Sequence, residues 1–246
     1  METLIAFGGL SEIAAHLSLS PPGWGANLLR GLLNSLQIAG GAFAFGLFIG
    51  ILGAYGKLNG GPVTRDLLGI YTTVIRSVPE LVLILILYFV GTDLINKAAA
   101  AMGYDRVEIN GIAAGIWVLG IVQGAYATEV LRGAILAIPK GHLESGLAFG
   151  MSPSLLMRRI TIPAMTPYAL PGLANLWLIA TKDTALLAVV GFSELTLVTR
   201  QAASSTRAYF TFFLAAGALY LLVTLISTVV FRTLERRARR GQPTTA

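Results

Sequence analysis

The chain has 246 residues, of which 55% are hydrophobic and only 12% charged; its formal net charge is +6 and it has no cysteine. That charged fraction is about half of what soluble domains carry, and the mean hydropathy is +0.73, so a water-soluble globular domain is excluded. Without cysteine, disulfide frameworks, thiolate metal sites and thiol catalysis are excluded too, and two distant histidines, His16 and His142, do not make a metal cluster.

Apolar runs repeatedly reach the roughly 20 residues needed to cross a hydrocarbon core about 30 Å thick. They lack the ten-residue alternation of a β-barrel. The expected fold is therefore all-α, a membrane bundle of about five spans. Residues 1–26 form an external segment that Ser18, Ser20, Pro21, Pro22 and Gly23 break up; a short interfacial helix is possible there, and Trp24 suits the headgroup level. Glu2 and Glu12, with no basic stretch before an apolar one, argue against a cleaved signal peptide. The membrane domain then occupies 27–246. Its first span covers about 27–55, and the spacing of Gly46 and Gly50 suits close helix contact.

Lys57 and Arg65 flank a turn at 59–62, and a second span is expected over 67–90, kinked at Pro79 where a backbone hydrogen bond is lost. A polar loop at 92–110 holds Asp93, Lys97, Asp105, Arg106 and Glu108. The third span is expected at 112–138, the fourth at 164–190 with an irregular start at Pro167, Pro171 and Gly172, and the fifth at 209–231 after a loop at 194–207. Lys57, Arg65, Arg132, Lys140, Arg158, Arg159 and the C-terminal arginines collect on one side. The positive-inside rule then makes that side cytoplasmic and the N-terminus external, and an odd span count fits opposite ends. The tail at 232–246, with Arg232, Arg236, Arg237, Arg239 and Arg240, reads as an anchor on anionic membrane lipid. No aromatics interleave those arginines, so nucleic acid is not an expected partner.

The segment at 139–163 is a basic, proline-bounded amphipathic hairpin between apolar runs. One short helix is expected over 141–149, stopped by Gly150. A second starts at Ser152 as N-cap with Pro153 in its first position, and places Arg158 and Arg159 near its C-terminus, where positive charge suits the helix dipole. Left to itself, such a hairpin is either a lipid-hugging loop or a docking device.

These residues carry a resemblance. Glu144, Ser145 and Gly146, then Gly150, then Ile160, Ile162 and Pro163 stand at the spacing of the signature E-A-A-x3-G-x9-I-x-L-P found in permease subunits of bacterial ATP-binding-cassette (ABC) importers. Residues 71–81, 138–142, 168–172 and the run from Lys182 to Leu186 resemble segments of the polar amino-acid uptake permeases, nearest those for histidine, arginine, lysine, ornithine and opines. Ser145 and Gly146 replace the usual alanines, and Thr181 stands where leucine is common.

The resemblance implies a type I ABC importer permease fold in a bacterial inner membrane, with the hairpin coupling to the ATPase through Glu144, Ser145, Gly146, Gly150, Ser152, Pro153, Arg158, Arg159, Ile160 and Pro163. It also implies a division of labour. An ATPase dimer binds below and holds ATP and magnesium, so this chain needs no cofactor. A second permease, more readily a paralogue than a copy, completes the path, and an external (periplasmic) solute-binding protein delivers the ligand. The chain has no G-x-x-x-x-G-K-[ST] run with which to cradle nucleotide phosphates itself.

Ionisable residues inside spans are expensive and mark either structural tethers or a polar path. Arg76 with Glu80, Glu129 with Arg132, and Lys182 with Asp183 are the candidate pairs; Trp177 lies about one and a half turns before Lys182, and Glu194 is a candidate for the external mouth. For a cationic amino acid, Glu129, Asp183 and Glu194 would be the attractive groups. A proton-coupled secondary carrier using Glu129 or Asp183 is the alternative, although no internal repeat accompanies it.

Overall fold

Glycine placement decides how this bundle closes. In the computed structural model, which describes residues 10–105 and 110–239, α1 is the short helix Leu10–His16 and α2 runs Gly25–Asn59. α3 is Pro62–Ser77, α4 Glu80–Ala101 and α5 Gly111–Leu136. α2 and α5 make the most extensive helix pair. A Cβ on Gly46 would lie 2.8 Å from the Gln123 Cβ, and one on Gly50 2.5 Å from the Ala127 Cβ and 2.9 Å from its carbonyl carbon. Only hydrogen fits at these positions, so the two backbones approach as small-residue seams allow. The seam expected from Gly46 and Gly50 is thus the axis of the fold.

Among the described residues, five helical runs are long and apolar enough to cross a membrane: Gly25–Asn59, Glu80–Ala101, Gly111–Leu136, Pro153–Val190 and Tyr209–Ala238. The second differs from the expected 67–90. Val78 and Pro79 are extended, so the proline separates two helices rather than kinking one. α3 keeps only Thr72 and Ile75 buried, whereas the span proper begins at Glu80. Its C-terminal part replaces most of the expected polar loop at 92–110. An exposed i,i+4 ion pair between Asp93 and Lys97 (2.7 Å) and the alanines at 98–101 suit a helix. Glu2, Arg106, Glu108 and Arg240 lie outside the described residues.

After α5 come α6 (Lys140–Ala148), α7 (Pro153–Leu156), a π turn at Met157–Thr161 and α8 (Ile162–Asp183), which tightens to a 3-10 segment at Thr184–Val190. The run Pro153–Val190 has 38 residues; at the α-helical rise it is about 55 Å long, nearly twice the hydrocarbon thickness. Its hairpin end therefore projects from the membrane.

The expected loop at 194–207 is instead a helix, α9 (Leu195–Thr206), followed by α10 (Tyr209–Ala238). α9 buries Leu195, Thr199, Ala202 and Ala203 against Leu28 of α2 and Phe212 and Ala216 of α10. It is also deep. Glu194 at its start meets Ser35 and Tyr220, ten or eleven residues into α2 and α10 and hence about 15 Å below their first turns. α1 packs over this end, with His16 and Phe212 ring centroids 5.9 Å apart.

Candidate functional site

Three constellations of polar side chains stand out, one at the hairpin, one midway along the bundle and one at its far end. The hairpin is built as the sequence expects at its tip. Gly150 has φ +72 and follows α6 with the Met151 N–H donating to the Gly146 carbonyl (3.1 Å) and the Gly150 N–H to that of Leu147 (2.9 Å). That bond pair is a Schellman stop with glycine in the left-handed position. The Ser152 hydroxyl then accepts from the Leu155 N–H (3.4 Å), with Pro153 at the first helical position.

Gly146 is buried, and a Cβ there would run into the side-chain tips of Leu156 and Ile160; the two arms close on each other at this glycine. Glu144, Ser145, Arg158 and Arg159 remain exposed, as do the apolar Leu147 and Phe149, the latter 87% exposed. One expectation is corrected. Arg158 and Arg159 do not sit at a helix end, because the π turn carries α7 straight into α8, the Ile162 N–H reaching back to the Met157 carbonyl. Pro163 falls in the first turn of α8, directly after the π turn.

At mid-bundle the break at residues 78–79 turns Arg76 and Glu80 away from mutual i,i+4 pairing, and they form no ion pair. Both instead address Tyr126 on α5. The Arg76 guanidinium carbon is 6.0 Å from the Tyr126 ring centroid, and the Tyr126 hydroxyl is 3.5 Å from Glu80 Oε1. Asp183, at the end of α8, is within electrostatic reach of Glu80 and of its neighbour Lys182. Its Oδ2 is buried and accepts no hydrogen bond from any described residue. A buried carboxylate oxygen without a donor is costly. Tyr126 therefore joins Arg76 and Glu80, with Asp183 on the same side at the end of α8 and Lys182, its chain neighbour, exposed. No charge pattern pointed to Tyr126; its place on the same α5 face as Glu129 was the available signal.

Two other expected path residues lie elsewhere. Trp177 donates its indole N–H to Ser227 Oγ of α10 (2.9 Å) and meets Phe43 edge-on (5.6 Å), a packed interhelical tie. Glu129 holds Lys57 Nζ at 2.5 Å on one oxygen and Arg132 at 3.0 Å on the other. Lys57 also donates to the Thr72 hydroxyl at 2.6 Å. With its charge balanced twice over, Glu129 does not stand as a free attractive group. Lys57, read in the sequence as a turn flank, is instead 13% exposed at its side chain, and this three-helix clasp was not visible before folding.

Glu194 is corrected most plainly. It is fully buried rather than open to a mouth. It caps α9 by accepting from the N–H groups of Thr196 (2.8 Å) and Leu197 (2.7 Å), and also takes the Tyr220 hydroxyl (3.2 Å). Those donors replace water around the carboxylate. They make it a structural joint among α2, α9 and α10.

Five candidate membrane spans among the described residues, a projecting two-armed hairpin and a cluster of charged side chains, of which Arg76 and Lys182 are exposed, describe a multi-pass membrane protein. The sequence profile of the family described as binding-protein-dependent transport system inner membrane component matches residues 46–240. The chain belongs to that family: it is the inner-membrane permease component of an ABC transporter, and the ATPase and solute-binding protein are separate partners.

Among its relatives, the octopine transport system permease protein OccQ of Rhizobium radiobacter is 40% identical over 226 residues, 92% of this chain and 95% of that protein. The histidine/lysine/arginine/ornithine transport system permease protein HisQ of Escherichia coli K12 is 39% identical, with 89% and 96% covered. The crystal structure of an amino acid ABC transporter with histidines superposes with a TM-score of 0.73 at 28% identity, covering 87% of this chain and 95% of that one. An inward-facing methionine ABC transporter, MetNI, shares the fold alone, with a TM-score of 0.71 at 19% identity over 90% of this chain and all of that one.

Proposed function

We propose that the chain imports a basic amino acid or an opine, and that Arg76, Glu80, Tyr126, Lys182 and Asp183 line the point where the solute passes mid-membrane. The observation that carries this reading is the buried Asp183 Oδ2 without a donor. An ammonium or guanidinium group would supply the missing N–H, while Arg76 and Lys182 suit the solute carboxylate. Relatives named for octopine and for histidine, lysine, arginine and ornithine support the substrate class.

The hairpin at 139–163 is the seat for the ATPase dimer, with the exposed Glu144, Leu147 and Phe149 facing it. Hairpin and C-terminus are then cytoplasmic and the N-terminus external, as the lysine and arginine distribution favours. The exposed arginines at the end of α10 rest on anionic lipid, and a paralogous permease forms the other half of the path.

Tagging the chain in its native membrane and purifying it gently tests the assembly; recovery of an ATPase and a second permease is expected. A chain that purifies alone and moves solute in liposomes under a proton gradient would make it a secondary carrier instead. For the path, Asp183→Asn should lower uptake of a basic amino acid by about ten-fold or more, one lost charge-assisted bond being worth about 1.5–3 kcal/mol. Unchanged uptake in that variant would dismiss Asp183 as a solute contact.

A further inference from the structure

The clasp of Lys57, Thr72 and Glu129 lies between the hairpin and the charged centre, and its connections say what it can do. Glu129 and Arg132 occupy the last two turns of α5, which leads through Pro139 directly into α6. Lys57 is in the last turn of α2. Thr72 belongs to α3, the helix that ends at the Arg76–Glu80 break.

Beyond the clasp, α3 is held chiefly at Ile75, which shares a buried cluster with Leu83 of α4 and Val122 and Ala125 of α5. It buries only Thr72 and Ile75, and its further polar tie to α5 is the Tyr71 hydroxyl on the Ile121 carbonyl (2.6 Å). The Lys57 ammonium spans this gap, 2.5 Å from Glu129 and 2.6 Å from Thr72. Both bonds are charge-assisted, in a setting where both charged side chains are below one-fifth exposed and water competes poorly.

A movement of the hairpin thus reaches α5 covalently, passes to Lys57 and Thr72 through Glu129, and arrives at α3. Because α3 is thinly packed and ends at an extended two-residue joint, it can shift as a unit. Arg76 rides on its last turn. We infer that Lys57 and Thr72 are positioning residues, whose clasp on Glu129 carries movement of the coupling hairpin into α3 and so sets where Arg76 stands relative to Glu80. The inference rests on the importer reading above. It adds to that reading the mechanical link between ATPase and solute.

The test uses the complete transporter, both permeases with the ATPase, in proteoliposomes with the solute-binding protein and a radiolabelled basic amino acid. Lys57→Met leaves Glu129 its bond to Arg132, and Thr72→Val keeps shape while removing the hydroxyl, so neither leaves a buried charge alone. Both complexes should assemble with the ATPase and hydrolyse ATP. Solute moved per ATP should fall by about five- to ten-fold, the range of an ordinary coupling energy. Lys57→Arg, which can bond both partners, should restore it, whereas an effect on stability alone would leave the solute-to-ATP ratio unchanged. Wild-type ratios in both Lys57→Met and Thr72→Val would overturn the inference. If the unmodified complex shows no ATP-dependent uptake, the importer reading falls and takes this one with it, an outcome recognised before any variant is compared.

Discussion

Two glycines on the same helix make opposing predictions when each is changed to alanine. In α2, a Cβ on Gly50 would sit 2.5 Å from the Ala127 Cβ, 2.9 Å from its carbonyl carbon and 3.1 Å from the Thr128 nitrogen, whereas a Cβ on Gly40 meets nothing within 4 Å. Two of the three Gly50 contacts are backbone, which cannot rotate aside. The helices must separate, and overpacking of this kind costs about 3 kcal/mol at the upper end of its range. Alanine returns about 1 kcal/mol of helix propensity at either site. Gly50→Ala should therefore destabilise by about 2 kcal/mol and Gly40→Ala stabilise by about 1 kcal/mol. At about 2–4 °C per kcal/mol for a chain of this size, the melting temperatures of the two variants should differ by about 6–12 °C. Tryptophan-fluorescence melts of the detergent-purified transporter read this directly. A Gly50→Ala protein as stable as Gly40→Ala would refute the close-approach account of the α2–α5 seam.

Gly150 makes a different demand, because space around it is open and only its φ of +72 resists a side chain. Gly150→Ala should cost about 1–2 kcal/mol, confined to the hairpin, so that ATPase recovery on purification falls while membrane insertion is unchanged; full recovery would contradict the docking role. Glu194→Gln replaces one acceptor oxygen by a donor, facing either the Leu197 N–H at Oε1 or the Thr196 N–H and Tyr220 hydroxyl at Oε2. A loss of about 1–3 kcal/mol is expected, seen as a lower melting temperature with binding of solute-loaded binding protein still measurable. Wild-type melting would show that the carboxylate is not the joint described.

Much of this architecture was legible in the sequence because it is local. The hairpin helix expected at 141–149 is Lys140–Ala148, and Ser152 and Pro153 start the second arm as expected; caps and stops depend on a few adjacent residues. The glycine seam was equally plain. α9 was not, although Leu195, Thr199, Ala202 and Ala203 follow helical spacing, because a helix of mixed hydropathy between two spans reads as a loop until α2 and α10 are in place around it. The break at Pro79 was legible as a disturbance but not as a boundary, since the apolar residues on both sides continue the same run. Tyr126 and Lys57 escaped for another reason. Their partners lie 46 and 72 residues away, and only the packed bundle makes them neighbours.

The depth of α9 has a consequence for biogenesis. Twelve residues cover about 18 Å as a helix, too little to cross the hydrocarbon core, and Glu194 at its base has no ion-pair partner among the described residues, only hydroxyl and N–H donors. Such a segment is a poor substrate for lateral release into lipid on its own. Its pocket includes Tyr220 and Phe212, which leave the ribosome after it does. α9 is therefore expected to settle between α2 and α10 only after the last span has inserted, joining the first and last spans late in the chain's own assembly.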